Sequence, residues 1–214
     1  MVLELKRGKV MKKLVIIGIF AVAMVLTLAS CGKKEKEKVQ ENTKSEAEIS
    51  GKHNAVITVK DLGDIEVELD ADAAPVTVEN FINLANEGFY DGLTFHRIID
   101  GFMIQGGDPK GNGTGGSGKN IIGEFKNNGI DNPIKHTRGT LSMARSRDNN
   151  SASSQFFIMH KDAAHLDGDY AAFGHVTKGM EIVDKICAET EVMDNNGTVM
   201  PEKQPVIEKI VILD

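Results

Sequence analysis

The clearest pattern in the chain is an alternation. Ile65, Val67 and Leu69 are separated by Glu66 and Glu68, which puts apolar side chains on one face of an extended segment and carboxylates on the other. This predicts a strand over 64–69. Ala55 to Lys60 predicts its partner, joined through the tight turn Asp61-Leu62-Gly63. The period then changes. Val78, Phe81, Ile82 and Ala85 recur at helical spacing between Val76 and Asn86, with Pro75 at the first turn and Gly88 past the end. Short apolar runs follow at 94–99, 102–105, 140–144, 155–159, 171–176 and 206–213, most of them parted by Gly- or Asn-rich loops. A second helix is predicted over 179–188, where Met180, Val183 and Cys187 share a face, and the bland reading of Cys187 is a buried structural thiol. The domain over 53–214 is therefore expected to be mainly β, an antiparallel barrel, closed or nearly closed, with two helices. The 22 glycines among 214 residues agree with a turn-rich architecture.

The first 52 residues follow different rules. Lys12 and Lys13 precede an apolar run from Leu14 to Ala29, broken only by Gly18 and Thr27. As a helix this run spans about 24 Å, short of a bilayer core of about 30 Å. A cleaved signal peptide over 1–30 fits better than a permanent span. The run ends Leu28-Ala29-Ser30-Cys31-Gly32, which resembles a bacterial lipobox. That resemblance implies cleavage after Ser30 and lipidation of Cys31, an anchor in a bacterial cell membrane facing outside the cytoplasm. Met11 is an alternative start to Met1, with residues 1–10 then a misassigned extension. Lys33 to Lys52 mixes Lys and Glu with almost no large apolar side chain. Such a stretch cannot offset its ordering entropy and reads as a tether, reaching about 25 Å as a flexible coil.

Charge narrows the partners. The net charge is −6, but residues 1–30 hold five basic side chains and one acidic, leaving 20 basic against 30 acidic groups and a net of −10. A domain of that sign repels phosphates, so no nucleic acid partner is expected.

The stretch Phe95-His96-Arg97-Ile98-Ile99-Asp100-Gly101-Phe102-Met103-Ile104-Gln105-Gly106-Gly107-Asp108 resembles the signature of cyclophilins. Gly139 to Ala144, Ser153 to Ile158, Leu166-Asp167-Gly168 and Phe173-Gly174 follow in the family's order at similar spacing. The resemblance covers nearly all of 53–214. It implies a closed eight-stranded barrel capped by two helices, no cofactor, a monomer, and peptidyl-prolyl cis-trans isomerase activity on proline-containing polypeptides. Carried over residue by residue, it implies that Arg97 is catalytic. Phe102, Met103, Phe157 and Leu166 line a pocket for the proline ring. Gln105 supports Arg97 and contacts the substrate backbone, and Ala144 and Arg145 run along the peptide groove. His96, Gln155, His165 and Tyr170 complete the substrate-binding set. Arg145 stands where the family commonly has Asn, Tyr170 where many members have His, and His165 where the cyclosporin-sensitive members have Trp. The last departure implies weak cyclosporin binding.

Isomerisation makes and breaks no covalent bond. Its barrier is the lost amide resonance, about 18–20 kcal/mol, so the catalyst must favour the twisted amide over both planar forms. The twisted nitrogen regains a lone pair, which a permanently charged, rigid donor such as Arg suits. A fold-keeping binding module without useful catalysis is the rival reading. The presence of Arg97, Phe102, Gln105 and Phe157 argues against it.

Other motifs are weaker. Gly113 to Asn120 nearly matches a phosphate-binding loop, but no strand leads directly into it, no amphipathic helix follows, and position 120 lacks the hydroxyl. Six histidines are scattered, with no carboxylate or Cys spaced in sequence to complete a zinc site, so no metal is expected. Serines 151, 153 and 154 sit in a polar loop without a nucleophile elbow.

Overall fold

The computed structural model describes residues 49–214. The signal peptide, Cys31 and nearly all of the tether lie outside them. Within the described residues no helix is long and apolar enough to cross a membrane.

Eight strands and two α-helices make the domain. They are β1 (Lys52–Val59), β2 (Gly63–Asp70), α1 (Pro75–Asn86), β3 (Phe95–Ile99), β4 (Met103–Gly106), β5 (Thr140–Met143), β6 (Phe156–Met159), β7 (Ala172–Lys178), α2 (Met180–Glu189) and β8 (Ile207–Ile212). All form one antiparallel sheet in the order β3-β4-β6-β5-β7-β2-β1-β8. The barrel is not closed as expected. β3 and β8 are the two ends of the ladder, and between them stand one isolated bridge, Thr94 to Val206, and flanking loop hydrogen bonds such as Phe95 N–H to Pro205 O at 2.9 Å. Pro205, immediately before, has no N–H to extend that ladder. The sheet is an open, curled half-barrel.

Two other boundaries shift for local reasons. β1 begins at Lys52, and Ile49 packs against the core ahead of it. Phe102 is not in β4 but in the turn before it, where its N–H donates to Ile99 O at 2.9 Å.

The alternation read along β2 is the rule that builds the core. Ile65, Val67 and Leu69 are buried, as are Ala55, Ile57 and Val59 opposite them. α1 lays Val78 and Phe81 into the same core and packs against β2 and β8. Phe81 is its centre, with ring centroids 5.2 Å from Tyr90, 5.4 Å from Phe156 and 5.3 Å from Phe173. α2 packs against β2, β3 and β4.

No side chain of its own caps α1. The first-turn donors go instead to Glu124, far along the chain. Its carboxylate accepts from Val76 N–H at 3.0 Å, Thr77 N–H at 2.8 Å and the Thr77 hydroxyl at 2.6 Å. The helix N-terminus favours a negative charge there, and Glu124 is thereby satisfied although buried.

Candidate active site

The site grows out of strand register. Arg97 pairs with Gln105, Gln105 with Phe157, and Phe157 with Ser142, so one row crosses β3, β4, β6 and β5. The next row is Ile98, Ile104, Ile158 and Leu141, all at most 1% exposed and all in the main core. Successive side chains point to opposite faces. The inner row therefore supports the fold, while the outer row carries polar groups beside apolar ones. On that outer face Met103, Phe157, Met159, Ala163 and Leu166 form a second, smaller apolar cluster, with Phe102, Ala144 and Tyr170 packed on it.

A cavity of about 200 Å³ opens there, lined by Arg97, Phe102, Met103, Gln105, Ala144, Arg145, Phe157, Leu166 and Tyr170. Nine of the expected site residues thus converge on one cavity. Gln155 joins them from its edge. Arg97 Nη1 donates to Gln105 Oε1 at 3.1 Å, Gln105 Nε2 donates to Gln155 Oε1 at 2.9 Å, and Gln155 Nε2 donates to Gly115 O at 2.8 Å. A second cavity of about 600 Å³ adjoins, sharing Gln105, Ala144 and Arg145. One wall of it is the glycine-rich loop at 113–118, and no α-helix follows that loop directly.

Arg97 is held from behind. Its Nε donates to Asn196 O at 2.9 Å. The loop bearing Asn196 is closed by the Asp194 carboxylate, which accepts from Asn196 N–H at 2.9 Å, Thr198 N–H at 3.1 Å and the Thr198 hydroxyl at 2.9 Å. Gly197 makes the approach feasible. It has φ +78°, and a Cβ there would stand 2.2 Å from Ile98 O. Partial burial lowers the guanidinium from its ordinary value, with Tyr170 and Asp194 acting the other way, and an Arg so placed remains a cation at neutral pH. Of its five N–H donors, two have partners among the described residues.

The three departures have distinct geometries, and Tyr170 stands edge-on to Phe157 at 5.9 Å. Arg145 lines both cavities, its side chain packed against two rings. Its guanidinium lies 4.7 Å from the Tyr170 ring centroid and 5.1 Å from that of Phe125, and its Nε donates to Asp169 O at 2.9 Å. His165 is exposed and stands at the rim, its ring stacked on Phe102 at 5.8 Å. His96 is not brought to the cavity. It is 4% exposed, at the register irregularity of β3 and against Gly113, and both ring nitrogens lack a hydrogen-bond partner. Burial lowers its pKa, Asp108 opposing.

Sequence reading missed His136. Its side chain is fully buried and stacks on Phe157 at 6.1 Å, edge-on to Tyr170 at 6.4 Å. Nδ1 is 3.1 Å from Asp167 Oδ1 and Nε2 is 3.0 Å from Ser142 Oγ. Burial lowers its pKa, with Asp167 pulling upward. It braces the wall of the pocket, and nothing in its local sequence marks it. Spacing also hid a gathering away from the cavity, where Asp100, His160 and Cys187 converge.

A curled antiparallel sheet here carries a fixed Arg beside a small apolar pocket, which can seat an apolar ring with a hydrogen-bond acceptor next to it. Comparison with known proteins gives the family. The model for "Cyclophilin type peptidyl-prolyl cis-trans isomerase/CLD" matches residues 55–212. Peptidyl-prolyl cis-trans isomerase B of Bacillus subtilis is 48% identical over 144 residues, which is 67% of this chain and 92% of that protein. A Helicobacter pylori peptidyl-prolyl cis-trans isomerase is 48% identical over 136 residues, 62% of this chain and 80% of that protein. A crystal structure of a Cryptosporidium parvum cyclophilin type isomerase, obtained in the presence of the dipeptide Ala-Pro, is similar with a TM-score of 0.66 and 32% identity, covering 75% of this chain and 99% of that one. The chain belongs to the cyclophilin family of peptidyl-prolyl cis-trans isomerases.

Proposed function

We propose that this isomerase acts on Xaa-Pro bonds of exported or surface proteins, assisting their folding from a lipid anchor on Cys31 at the outer side of a bacterial cell membrane. The leader, the lipobox-like Leu28 to Cys31 and the charged segment behind it support this placement. No cofactor is needed, because the reaction is a rotation.

In the proposed mechanism the proline ring enters the pocket of Phe102, Met103, Phe157 and Leu166, while the peptide backbone follows Ala144. The pocket holds the ring still, so that rotation falls on the segment beyond it. Arg97 retains three N–H donors for the substrate. As the amide twists, its nitrogen gains a lone pair that the guanidinium meets, an interaction stronger in the twisted form than in either planar form. The observation that carries this reading is the double tether of Arg97, Nη1 on Gln105 and Nε on Asn196, at the edge of an apolar cavity. A donor already oriented needs no reorganisation as the bond turns.

The test is a protease-coupled proline assay on the parent and Arg97→Ala. The variant is expected to lose about 10²–10³-fold in kcat/KM, by analogy with the loss of an oxyanion donor. Arg97→Lys should rescue little, because a point charge lacks the fork. A folded Arg97→Ala protein of near-parental activity would falsify the assignment.

A further inference from the structure

We propose that Asp100, His160 and Cys187 form a binding site for a borderline-soft divalent cation of the zinc class. The residues come from the β3–β4 turn, the end of β6 and α2, and their donor atoms lie within 4.8 Å of one another. The mixed set of thiol, imidazole and carboxylate suits zinc rather than the hard cations, which take oxygen alone.

The geometry supplies three further reasons. First, the tautomer of His160 is arranged. Its Nε2 stands 3.1 Å from Asp184 Oδ1, and Asp184 is itself gripped by Arg138 at 2.7 and 2.8 Å. The Nε2 proton therefore points at Asp184, which is the carboxylate-histidine support that metal-bound imidazoles commonly carry. Second, Nδ1 is the acceptor nitrogen, taking Gly101 N–H at 2.9 Å, and it stands 3.3 Å from Asp100 Oδ1. That spacing is the one nitrogen and oxygen ligands on a single tetrahedral zinc take, roughly 3.3 Å. Third, the site has an opening. The Asp100 side chain is 76% exposed, and Asp100 and Cys187 line a surface cavity of about 180 Å³, which leaves room for a water as fourth ligand.

Two changes accompany binding. Gly101 N–H, which donates to Nδ1 at 2.9 Å, gives up that bond to the ion. The Cys187 thiol loses its proton to solvent and binds as thiolate, its sulfur closing by on the order of 1 Å to reach bonding distance.

The test uses the full chain carrying Cys31→Ser, so that Cys187 is its one thiol. The protein is stripped with chelator and titrated with Zn²⁺ by calorimetry and with Co²⁺ by absorption. One ion per chain and a sulfur-to-cobalt charge-transfer band are expected. Cys187→Ser should abolish the band. His160→Gln and Asp100→Asn should each weaken Zn²⁺ binding by at least about 10–100-fold, the loss typical of even supporting residues. His175→Gln, exposed on β7, should change nothing. A folded parent that takes up no stoichiometric ion overturns the proposal, as does Zn²⁺ affinity unchanged by Asp100→Asn, a surface substitution that leaves the core intact.

Discussion

Gln105 offers a sharper test of the active site than Arg97 itself, because the structure gives it a role through another residue. Its Oε1 takes one of the two tethers on Arg97, and the other is the backbone carbonyl of Asn196, which no substitution removes. Gln105→Ala deletes a hydrogen bond to a charged group, worth about 1.5–3 kcal/mol. At 1.36 kcal/mol per decade this sets a ceiling of roughly 10–150-fold in rate. Because the Asn196 tether persists, a loss of about 10–30-fold in kcat/KM is expected, carried mainly by kcat. The decisive measurement is the double variant. If Gln105 acts by aiming Arg97, it has nothing to aim once Arg97 is gone. Gln105→Ala with Arg97→Ala should then fall within about twofold of Arg97→Ala alone. Independent contributions would instead multiply to a loss of roughly 10³–10⁴-fold. The multiplied value, in folded protein by circular dichroism, refutes the tether, and so does a fully active Gln105→Ala.

Intact mass of the membrane-extracted protein should give an N-terminus at Cys31 bearing lipid, and globomycin or Cys31→Ala should leave uncleaved precursor; an unmodified Cys31 ends that reading. His165→Trp should tighten cyclosporin binding by about tenfold, since aromatic packing at the Phe102 rim and an indole donor are both gained; no change would remove His165 from the inhibitor site. Glu124→Ala strands the buried Thr77 N–H and hydroxyl and should cost about 2–3 kcal/mol in urea unfolding, and an unaltered midpoint would show that α1 does not depend on this cap. Burial lowers the folded-state pKa of His96 and His136 below the ordinary value, so over that interval the unfolded chain binds more protons than the folded one. Stability should therefore be complete above about pH 6.5 and decline as pH falls below it; a flat urea midpoint between pH 7.5 and 5 would contradict this.

The strands and helices were legible because their signals are local. Alternation in β2 and helical spacing in α1 are properties of a few consecutive residues, and the structure has both. The stretch from Phe95 to Asp108 was legible for a related reason. A hairpin bearing Arg97 and Gln105 eight residues apart brings the two together by its own turn. Which face of the sheet becomes pocket was not local. Phe156 and Phe157 are adjacent and chemically identical, yet Phe156 packs on Phe81 in the core while Phe157 walls the cavity. Alternation says only that they diverge, and the curl of the whole sheet decides which side faces inward. Closure was likewise undecidable from eight strand signals, because it depends on how the first and last ladders meet, at Thr94 and Val206. Long-range polar partners left no trace at all. Glu124 lies 47 residues from the Thr77 it caps, and Asn196 lies 99 from Arg97. His136 is set against Phe157, and Cys187 against His160 and Asp100, by packing between elements distant in the chain. Short-range periodicity is written into neighbouring residues, whereas a carboxylate, a ring or a thiol acquires its partner only when separate elements have been brought to one place.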